Sequence, residues 1–189
     1  DEKLVSIKNL ENKRKTEIAF KKLIIATGSL PKVPPVKGAN LKGVYTVKWF
    51  KDAKELSKKA KPRMKALVVG AGFIGMETAN ALRKLGLDVT VVEMLPNILS
   101  GVLEPRLSSY VKAKAESVGV KVKVNCTLDG IEGKRKVEAA ILSGEKVAFD
   151  FVIFCAGVKP NTRIFAESRV NMAEYGAIKT DSKMQTNME

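Results

Sequence analysis

The stretch Gly70-Ala71-Gly72-Phe73-Ile74-Gly75 decides the fold, because it has the form G-x-G-x-x-G and separates two regular elements. A buried apolar strand is predicted before it, over Ala66–Val69, and a helix after it, over Phe73–Leu85. In such a turn the first glycine permits the tight bend, the second lets the backbone approach a pyrophosphate, and the third lets the helix pack on the strand. A purely structural glycine turn is the alternative. The residues predicted to surround the phosphates at the helix N-terminus are Gly70, Gly72, Phe73, Ile74 and Gly75.

Strands and helices continue to alternate after this turn. The next strand is predicted over Val89–Val92, the next helix over Glu104–Val118, and a third strand over Val120–Val124. This βαβαβ order predicts a parallel sheet with right-handed crossovers, which is a Rossmann-like α/β fold. Three short segments then indicate an antiparallel meander, and a last buried strand follows; these four are Leu128–Ile131, Lys136–Leu142, Lys146–Phe149 and Phe151–Phe154.

The first 65 residues have a different pattern. Alternating residues predict two strands joined by a turn, and a four-residue apolar run predicts a third, buried strand. Three prolines between residues 31 and 35 then predict a stiff extended linker, and a helix ends before Pro62. The predicted strands are Leu4–Leu10, Thr16–Phe20 and Leu23–Ala26, and the helix is Val47–Lys61.

Glu93 stands at the end of the second strand of the βαβ unit, where an acidic residue binds the ribose hydroxyls of a dinucleotide. A carboxylate at this position accepts hydrogen bonds from NAD and repels the additional phosphate of NADP. The sequence therefore predicts a preference for NAD(H). A solvated glutamate at a strand end is the alternative.

Composition argues against several classes of protein. The formal net charge is +14, and residues 1–65 hold 18 Lys and Arg against 6 Asp and Glu. A binder of single-stranded nucleic acid needs aromatic side chains among its lysines, and this segment has few of them. The longest apolar stretches, Ala66–Met76 and Phe151–Val158, are too short for a membrane span, which needs ~18 apolar residues. No signal peptide is recognisable, and the two cysteines, Cys126 and Cys155, form no disulfide framework. A cytoplasmic protein without a membrane or nucleic-acid partner is expected.

Three ordered motifs together resemble the FAD-dependent pyridine-nucleotide-disulfide oxidoreductase family, in particular its NADH oxidase and CoA-disulfide reductase branch. They are Leu23-Ile24-Ile25-Ala26-Thr27-Gly28-Ser29, the GxGxxGxE motif at 70–77, and Ala156-Gly157-Val158-Lys159-Pro160-Asn161-Thr162. In that family an NAD(H)-binding domain is inserted into an FAD-binding domain. The resemblance implies an FAD-domain segment over residues 1–30, an NAD(H)-binding domain over 31–176 and the start of the returning FAD-domain segment over 177–189.

The resemblance also implies roles for individual residues. Ala26, Thr27 and Gly28 would lie against FAD in the full protein, and Gly157 and Val158 would border the nicotinamide. Glu77, on the first turn of the helix, would face the junction of nicotinamide and flavin, although the residues alone indicate only a partner for the helix dipole. The family's first FAD motif and its redox cysteine would precede residue 1, and its Gly-Asp motif would follow residue 189. The chain is therefore expected to be a middle segment, completed by the other FAD and dimerisation domains of its parent.

Without histidine, the chain offers no Ser-His-Asp or Cys-His constellation, and no catalytic residue is predicted. The two cysteines are expected to be structural. The preferred interpretation is the NAD(H)-binding domain of a flavin-dependent oxidoreductase, with the surplus charge a result of where the segment lies in the longer protein. A flavin-independent NAD dehydrogenase, a nucleotide sensor and a basic nucleic-acid-binding module stay open as alternatives.

Overall fold

The structure, a computed structural model, describes residues 3–188. It contains three α-helices, α1 (Phe50–Lys59), α2 (Phe73–Lys84) and α3 (Pro105–Ser117), and short 3-10 helices at Arg163–Phe165 and Glu174–Gly176. Its strands are β1 (Leu4–Lys8), β2 (Lys15–Ala19), β3 (Ser29–Pro31), β4 (Val44–Thr46), β5 (Lys65–Val69), β6 (Asp88–Val92), β7 (Lys121–Lys123), β8 (Leu128–Glu132), β9 (Ala139–Leu142), β10 (Glu145–Ala148), β11 (Phe151–Phe154) and β12 (Val158–Pro160).

A five-stranded parallel sheet in the order β4-β11-β5-β6-β7 forms the centre of the molecule. Its middle strands are apolar on both faces, and Ala66, Leu67 and Val68 of β5 are fully buried. Such runs are typical of parallel strands covered on both sides. The sheet confirms the predicted α/β class and its βαβαβ order.

The parallel sheet is covered by helices on one face and by the meander on the other. One core cluster joins Val68, Val91 and Ile153 to Ala79 and Leu82 of α2. A second cluster joins side chains of the opposite face to the antiparallel sheet β10-β9-β8, including Leu67, Val152, Ile131, Ala140 and Leu142. The alternation of side chains along each strand divides the two cores in this way.

Two further strand pairs lie outside this three-layered body. β1 and β2 form an antiparallel hairpin in which every β2 residue is exposed. β3 pairs antiparallel with β12, which brings the linker before the parallel sheet against the segment that leaves it. The hairpin has the two strands and the turn that the sequence predicts, whereas the β3-β12 pair joins segments far apart in the chain.

The predicted strand over Leu23–Ala26 is wrong. These residues form no strand, and the Ile24 side chain is 89% exposed. An isolated extended run has no neighbouring backbone to satisfy its N–H and C=O groups. Apolar side chains alone therefore do not make it a strand. The strand forms further on, at Ser29–Pro31, inside the segment predicted as a linker, where Pro31 is tolerated at the end of an edge strand.

Ser108 anchors the loop between β6 and α3. Ser108 is 1% exposed, and its hydroxyl donates to the Ile98 carbonyl at 2.7 Å. The residue after Ile98, Leu99, donates its amide to the Ala71 carbonyl at 2.9 Å. The buried hydroxyl thus fixes the loop whose next amide donates to the glycine turn.

We expect Ser108→Ala to lower the free energy of unfolding by about 1–3 kcal/mol, because it leaves the buried Ile98 carbonyl without its donor. Urea unfolding followed by circular dichroism measures the change. Ser109→Ala is the matched control, since the neighbouring hydroxyl is exposed and bonds only to the Pro105 carbonyl of its own helix. Equal losses in the two variants would contradict an anchoring role for Ser108.

Candidate functional site

The glycine turn between β5 and α2 has the geometry that its sequence predicts at two of its glycines. Gly70 adopts φ +101° and donates its amide to the Val92 carbonyl at 2.8 Å. A Cβ at Gly70 would lie only 2.7 Å from the Cys155 carbonyl oxygen, which is too close. At Gly75 a Cβ would overlap the carbonyl oxygen of Gly70. Both positions therefore require glycine for close backbone packing.

Gly72 differs from these two glycines, because a Cβ built on it would meet no atom within 4 Å. Gly72 is the N-cap of α2, with extended φ and ψ of −77° and −174°, and no side chain caps the helix there. The first amides of a helix have no partner within it and point outward. The turn therefore leaves an open space lined by backbone donors, which suits an anion.

Phe73 and Ile74 begin α2 beside this space and are unusually exposed for apolar residues, at 62% and 48%. Gly75 is buried behind them. Glu77 is exposed and is the fifth residue of α2, so it lies just beyond the first turn on which it was predicted.

Glu93 is not a solvated residue, because its carboxylate holds the turn together. One oxygen, Oε2, accepts from the Ala71 amide at 2.9 Å, and the other, Oε1, accepts from the Leu95 amide at 3.0 Å. The carboxylate is partly buried at the edge of the sheet beside the glycine turn. Each oxygen can still accept further hydrogen bonds, so ribose hydroxyls remain possible partners.

The structure brings together the motif at residues 23–29 and the motif at residues 156–162. The Gly28 carbonyl accepts from the Asn161 amide at 2.9 Å, and the Thr27 carbonyl accepts from the Asn161 side chain at 3.2 Å. The Gly157 carbonyl in turn accepts from the Lys32 amide at 2.9 Å. Ala26, Thr27 and Gly28 are exposed, as are Gly157 and Val158, so both segments present open surface at the same crossing.

Lys48 and Asn161 belong to this region, although the sequence analysis assigned neither residue to a site. The Lys48 ammonium donates to the Ser29 hydroxyl at 2.7 Å, across 19 residues of sequence. Lys48 follows β4, which is too short to show periodicity and was not predicted. Asn161 could have been found from the sequence, since it stands in the motif after β11. Its side chain donates to the Thr27 carbonyl in the other motif.

Neither cysteine has the properties of a reactive thiol. Cys126 is buried. Burial raises the pKa of the Cys155 thiol to about 11, and a contact between its sulfur and the Thr78 hydroxyl at 4.0 Å lowers it only in part. Both thiols are therefore placed for packing rather than for attack on a substrate. Within residues 3–188, no group of three His, Cys, Asp or Glu side chains could hold a metal ion, and no helix is long and apolar enough to cross a membrane.

The raised pKa of Cys155 predicts a loss of stability at high pH. The unfolded thiol ionises near its ordinary value of 9.0, whereas the folded thiol keeps its proton to about 11. The stabilisation is therefore complete below pH 9 and is lost as the pH rises through 11, by about 2.7 kcal/mol in total. We expect the stability difference between the wild type and Cys155→Ala to change by about 2 kcal/mol between pH 8 and 11, because half of the folded thiol still holds its proton at pH 11. Comparison at each pH cancels the titration of lysines and tyrosines, and a constant difference would contradict the prediction.

Comparisons with known proteins agree with this architecture. A family model described as pyridine nucleotide-disulphide oxidoreductase matches residues 1–189. An NADH oxidase of Methanocaldococcus jannaschii is 37% identical over 174 residues, which are 91% of this chain and 39% of that protein. A rubredoxin-NAD(+) reductase of Pseudomonas putida is 33% identical over 172 residues, which are 90% of this chain and 44% of that protein.

Two solved structures superpose on nearly the whole chain. An NAD-dependent persulfide reductase from A. fulgidus has a TM-score of 0.91 and 31% identity, covering 99% of this chain and 35% of that one. A water-forming NADH oxidase from Lactobacillus brevis, bound to NADH, has a TM-score of 0.90 and 28% identity, covering 98% of this chain and 41% of that one. The chain thus spans less than half the length of these relatives. The match over every residue confirms the predicted family, and this chain belongs to the pyridine nucleotide-disulphide oxidoreductases.

Proposed function

We propose that this chain is the NAD(H)-binding part of a flavin-dependent oxidoreductase, which passes hydride from NADH to FAD and on to a disulfide, oxygen or similar acceptor. The observation that carries the proposal is the open space at Gly72, at the uncapped N-terminus of α2, with the Glu93 carboxylate bonded to the same turn. A pyrophosphate fits the amides and a ribose fits the carboxylate, so one dinucleotide satisfies both. When bound, NADH supplies the hydride and FAD accepts it.

The residues of this chain bind and orient the cofactor. The exposed amide groups at the start of α2 bind phosphate, and Phe73 and Ile74 cover it with apolar surface. Glu93 accepts from the adenosine ribose, and its negative charge disfavours the additional phosphate of NADP. Gly157 and Val158 border the nicotinamide, and Glu77 lies along α2 towards the same end.

FAD binding in the parent is assigned to Ala26, Thr27 and Gly28. The hydrogen bonds from Asn161 to Thr27 and Gly28 support this assignment, because they hold the flavin-side segment against the segment that borders the nicotinamide. Hydride transfer requires such proximity between the two rings. The proposed division of the chain is an FAD-domain segment over residues 1–30, the NAD(H) domain over 31–176 and a returning segment over 177–189.

The expected partners are the nucleotide cofactor and the remaining FAD and dimerisation domains of the parent. The exposed Ile24 and the exposed hairpin of β1 and β2 are surface that such domains would cover. A flavin-independent dehydrogenase is less well supported, because it needs a proton-transfer residue near neutral pH and the chain contains no histidine. A nucleotide sensor would share the site but lack the flavin contacts.

Gly72→Ala should abolish tight NADH binding without unfolding the chain. The new methyl group meets no protein atom, but it occupies the space into which the pyrophosphate fits, and the cost at an N-cap is only about 1 kcal/mol or less. We expect at least a tenfold (~1.4 kcal/mol) rise in the Kd for NADH, measured by fluorescence titration.

Gly75→Ala is the contrasting variant, because its methyl group would overlap the Gly70 carbonyl oxygen. We expect a large loss of thermal stability there, about 3 kcal/mol, which is the upper end for overpacking. If Gly72→Ala bound NADH as tightly as the wild type, the phosphate site would lie elsewhere and the proposed function would lose its main support.

Glu93→Ala should weaken NADH binding and reduce the preference for NADH over NADPH. The variant removes the ribose acceptor and the charge that opposes a 2′-phosphate. It also removes two hydrogen bonds to the turn, so the free energy of unfolding should fall by about 1–3 kcal/mol. Isothermal titration with both nucleotides measures the ratio of affinities. A wild type that binds NADPH more tightly than NADH, with no change in that ratio in Glu93→Ala, would overturn the assignment.

A further inference from the structure

Two adjoining clefts open at the amino-terminal edge of the parallel sheet, away from the glycine turn. One has a volume of about 360 Å³ and the other about 720 Å³, and they share Glu138 and Ala148. Lys65, the first residue of β5, and Asp150, just before β11, line the smaller cleft. Strands β8 and β10 contribute to the larger one.

Cationic side chains outnumber carboxylates in these clefts by six to three. The cations come from four separate parts of the chain and are Lys37, Arg63, Lys65, Lys134, Lys136 and Lys146. Lys42, beside them, is the bridge partner of Lys136, so two lysines are adjacent on neighbouring backbones. Concentrated like charge destabilises a fold unless it is compensated. The fold itself therefore gives no reason for this arrangement.

The three carboxylates in the clefts balance three of the six cations, which leaves a formal surplus of three positive charges. Glu132 pairs with Lys146 at 2.6 Å, and that ammonium lowers the pKa of the Glu132 carboxyl. Asp150 accepts from the backbone amide of Lys65 at 2.8 Å rather than from its side chain. Most of the lysine ammonium groups thus face solvent.

The backbone that carries these groups is held closely. At Gly38 a Cβ would overlap the Ile131 carbonyl, and the Lys37 carbonyl accepts from the Ile131 amide at 2.8 Å. The Lys42 carbonyl likewise accepts from the Val137 amide at 2.8 Å. The chain before β4 is therefore fixed against the meander, and the positions of the lysine backbones are preorganised.

The rest of the parent protein would lie on the other side of the sheet. β3 and β12, through which the chain enters and leaves, pair with each other beside Gly157, which follows the carboxyl end of β11. Five residues of β5 separate the two edges, or about 16 Å at the rise of a strand. The clefts are thus available to a separate molecule.

β10 presents a free strand edge beside the larger cleft. Phe149 donates its amide to the Glu138 carbonyl, and the antiparallel register then turns the backbone groups of Lys146 and Ala148 outward. Among residues 3–188, no strand pairs with this outer edge. An extended segment of another chain can add to such an edge by main-chain hydrogen bonds.

We infer that the clefts and the β10 edge together bind an acidic extended segment of a partner protein. The excess of cations complements glutamate and aspartate side chains, and Leu41, Ile131 and Ala139 give the larger cleft an apolar floor for alternate residues. A nucleic acid fits less well, because it has no peptide N–H and C=O groups with which to pair along the free β10 edge. Interfaces of this kind gain specificity from complementary charge.

Binding of a fluorescein-labelled twelve-residue peptide of alternating Glu and Val tests the inference by fluorescence anisotropy. We expect the wild type to bind it, and Lys134→Gln/Lys136→Gln to bind it at least tenfold more weakly. Lys84→Gln/Lys114→Gln makes the same change of charge on exposed positions of α2 and α3, and should bind within twofold of the wild type. Binding should also weaken as salt screens the charges.

Lys146→Pro tests the strand pairing, because proline removes the outward amide, whereas Lys146→Gln removes only the charge. Pro is tolerated on a strand edge whose amide faces solvent, so the fold should survive. We expect Lys146→Pro to bind the peptide at least fivefold more weakly than Lys146→Gln. Equal affinities of these two variants would overturn the strand addition.

Two other outcomes would overturn the whole inference. The first is a 20-base-pair DNA duplex that binds more tightly than the peptide with the same dependence on Lys134 and Lys136, which would assign the clefts to nucleic acid. The second is no binding of the peptide, which would leave the edge lysines only the role of preventing strand association. NADH titration of the same variants should be unchanged, so failure here and failure of the nucleotide site are distinguishable.

Discussion

The close approach of α2 to β5 is the constraint on which the rest of the structure depends. The Gly70 carbonyl lies where a side chain at Gly75 would be, so the helix can pack on the strand only with glycine at that position. This contact fixes the axis of α2 and places its uncapped N-terminus at the carboxyl edge of the sheet. A Cβ at Gly72 would have no atom within 4 Å, so the space in front of the first helix amides is open. Close packing and the proposed phosphate site thus depend on different glycines of one motif.

Glu93 links this turn to the next strand, so the residue that we propose as the ribose acceptor also has a structural role. Its two oxygens accept from the Ala71 amide in the glycine turn and from the Leu95 amide just after β6. An ionised carboxylate that accepts backbone hydrogen bonds is a strong acceptor at a fixed position. The proposed ribose acceptor is therefore oriented before any ligand arrives, which would lower the entropic cost of binding.

The sequence predicted the elements whose cause is local and missed those whose cause is a distant partner. The glycine turn, α2 and the apolar strands of the parallel sheet follow from periodicity and from residues in one short stretch, and they are confirmed. Leu23–Ala26 is apolar enough for a strand, but no neighbouring strand satisfies its backbone, so it stays irregular. β4 escaped prediction because three residues carry no period, and it exists only by pairing with β11. The hydrogen bonds of Asn161 to Thr27 and Gly28 depend on that same long-range topology.

The distribution of charge shows where composition alone misleads. The surplus in residues 1–65 was interpreted as a result of the segment's place in a longer protein, but residues 31–65 hold 11 Lys and Arg against 2 Asp and Glu. Most of the surplus therefore belongs to the proposed nucleotide-binding domain itself. Folding gathers Lys37, Arg63 and Lys65 from this segment with Lys134 and Lys136 from the meander, at the edge opposite the glycine turn. A dinucleotide site needs only backbone amides and one carboxylate at its own edge, so this separation leaves the lysines free to attract a second, acidic partner without competing for the same phosphates.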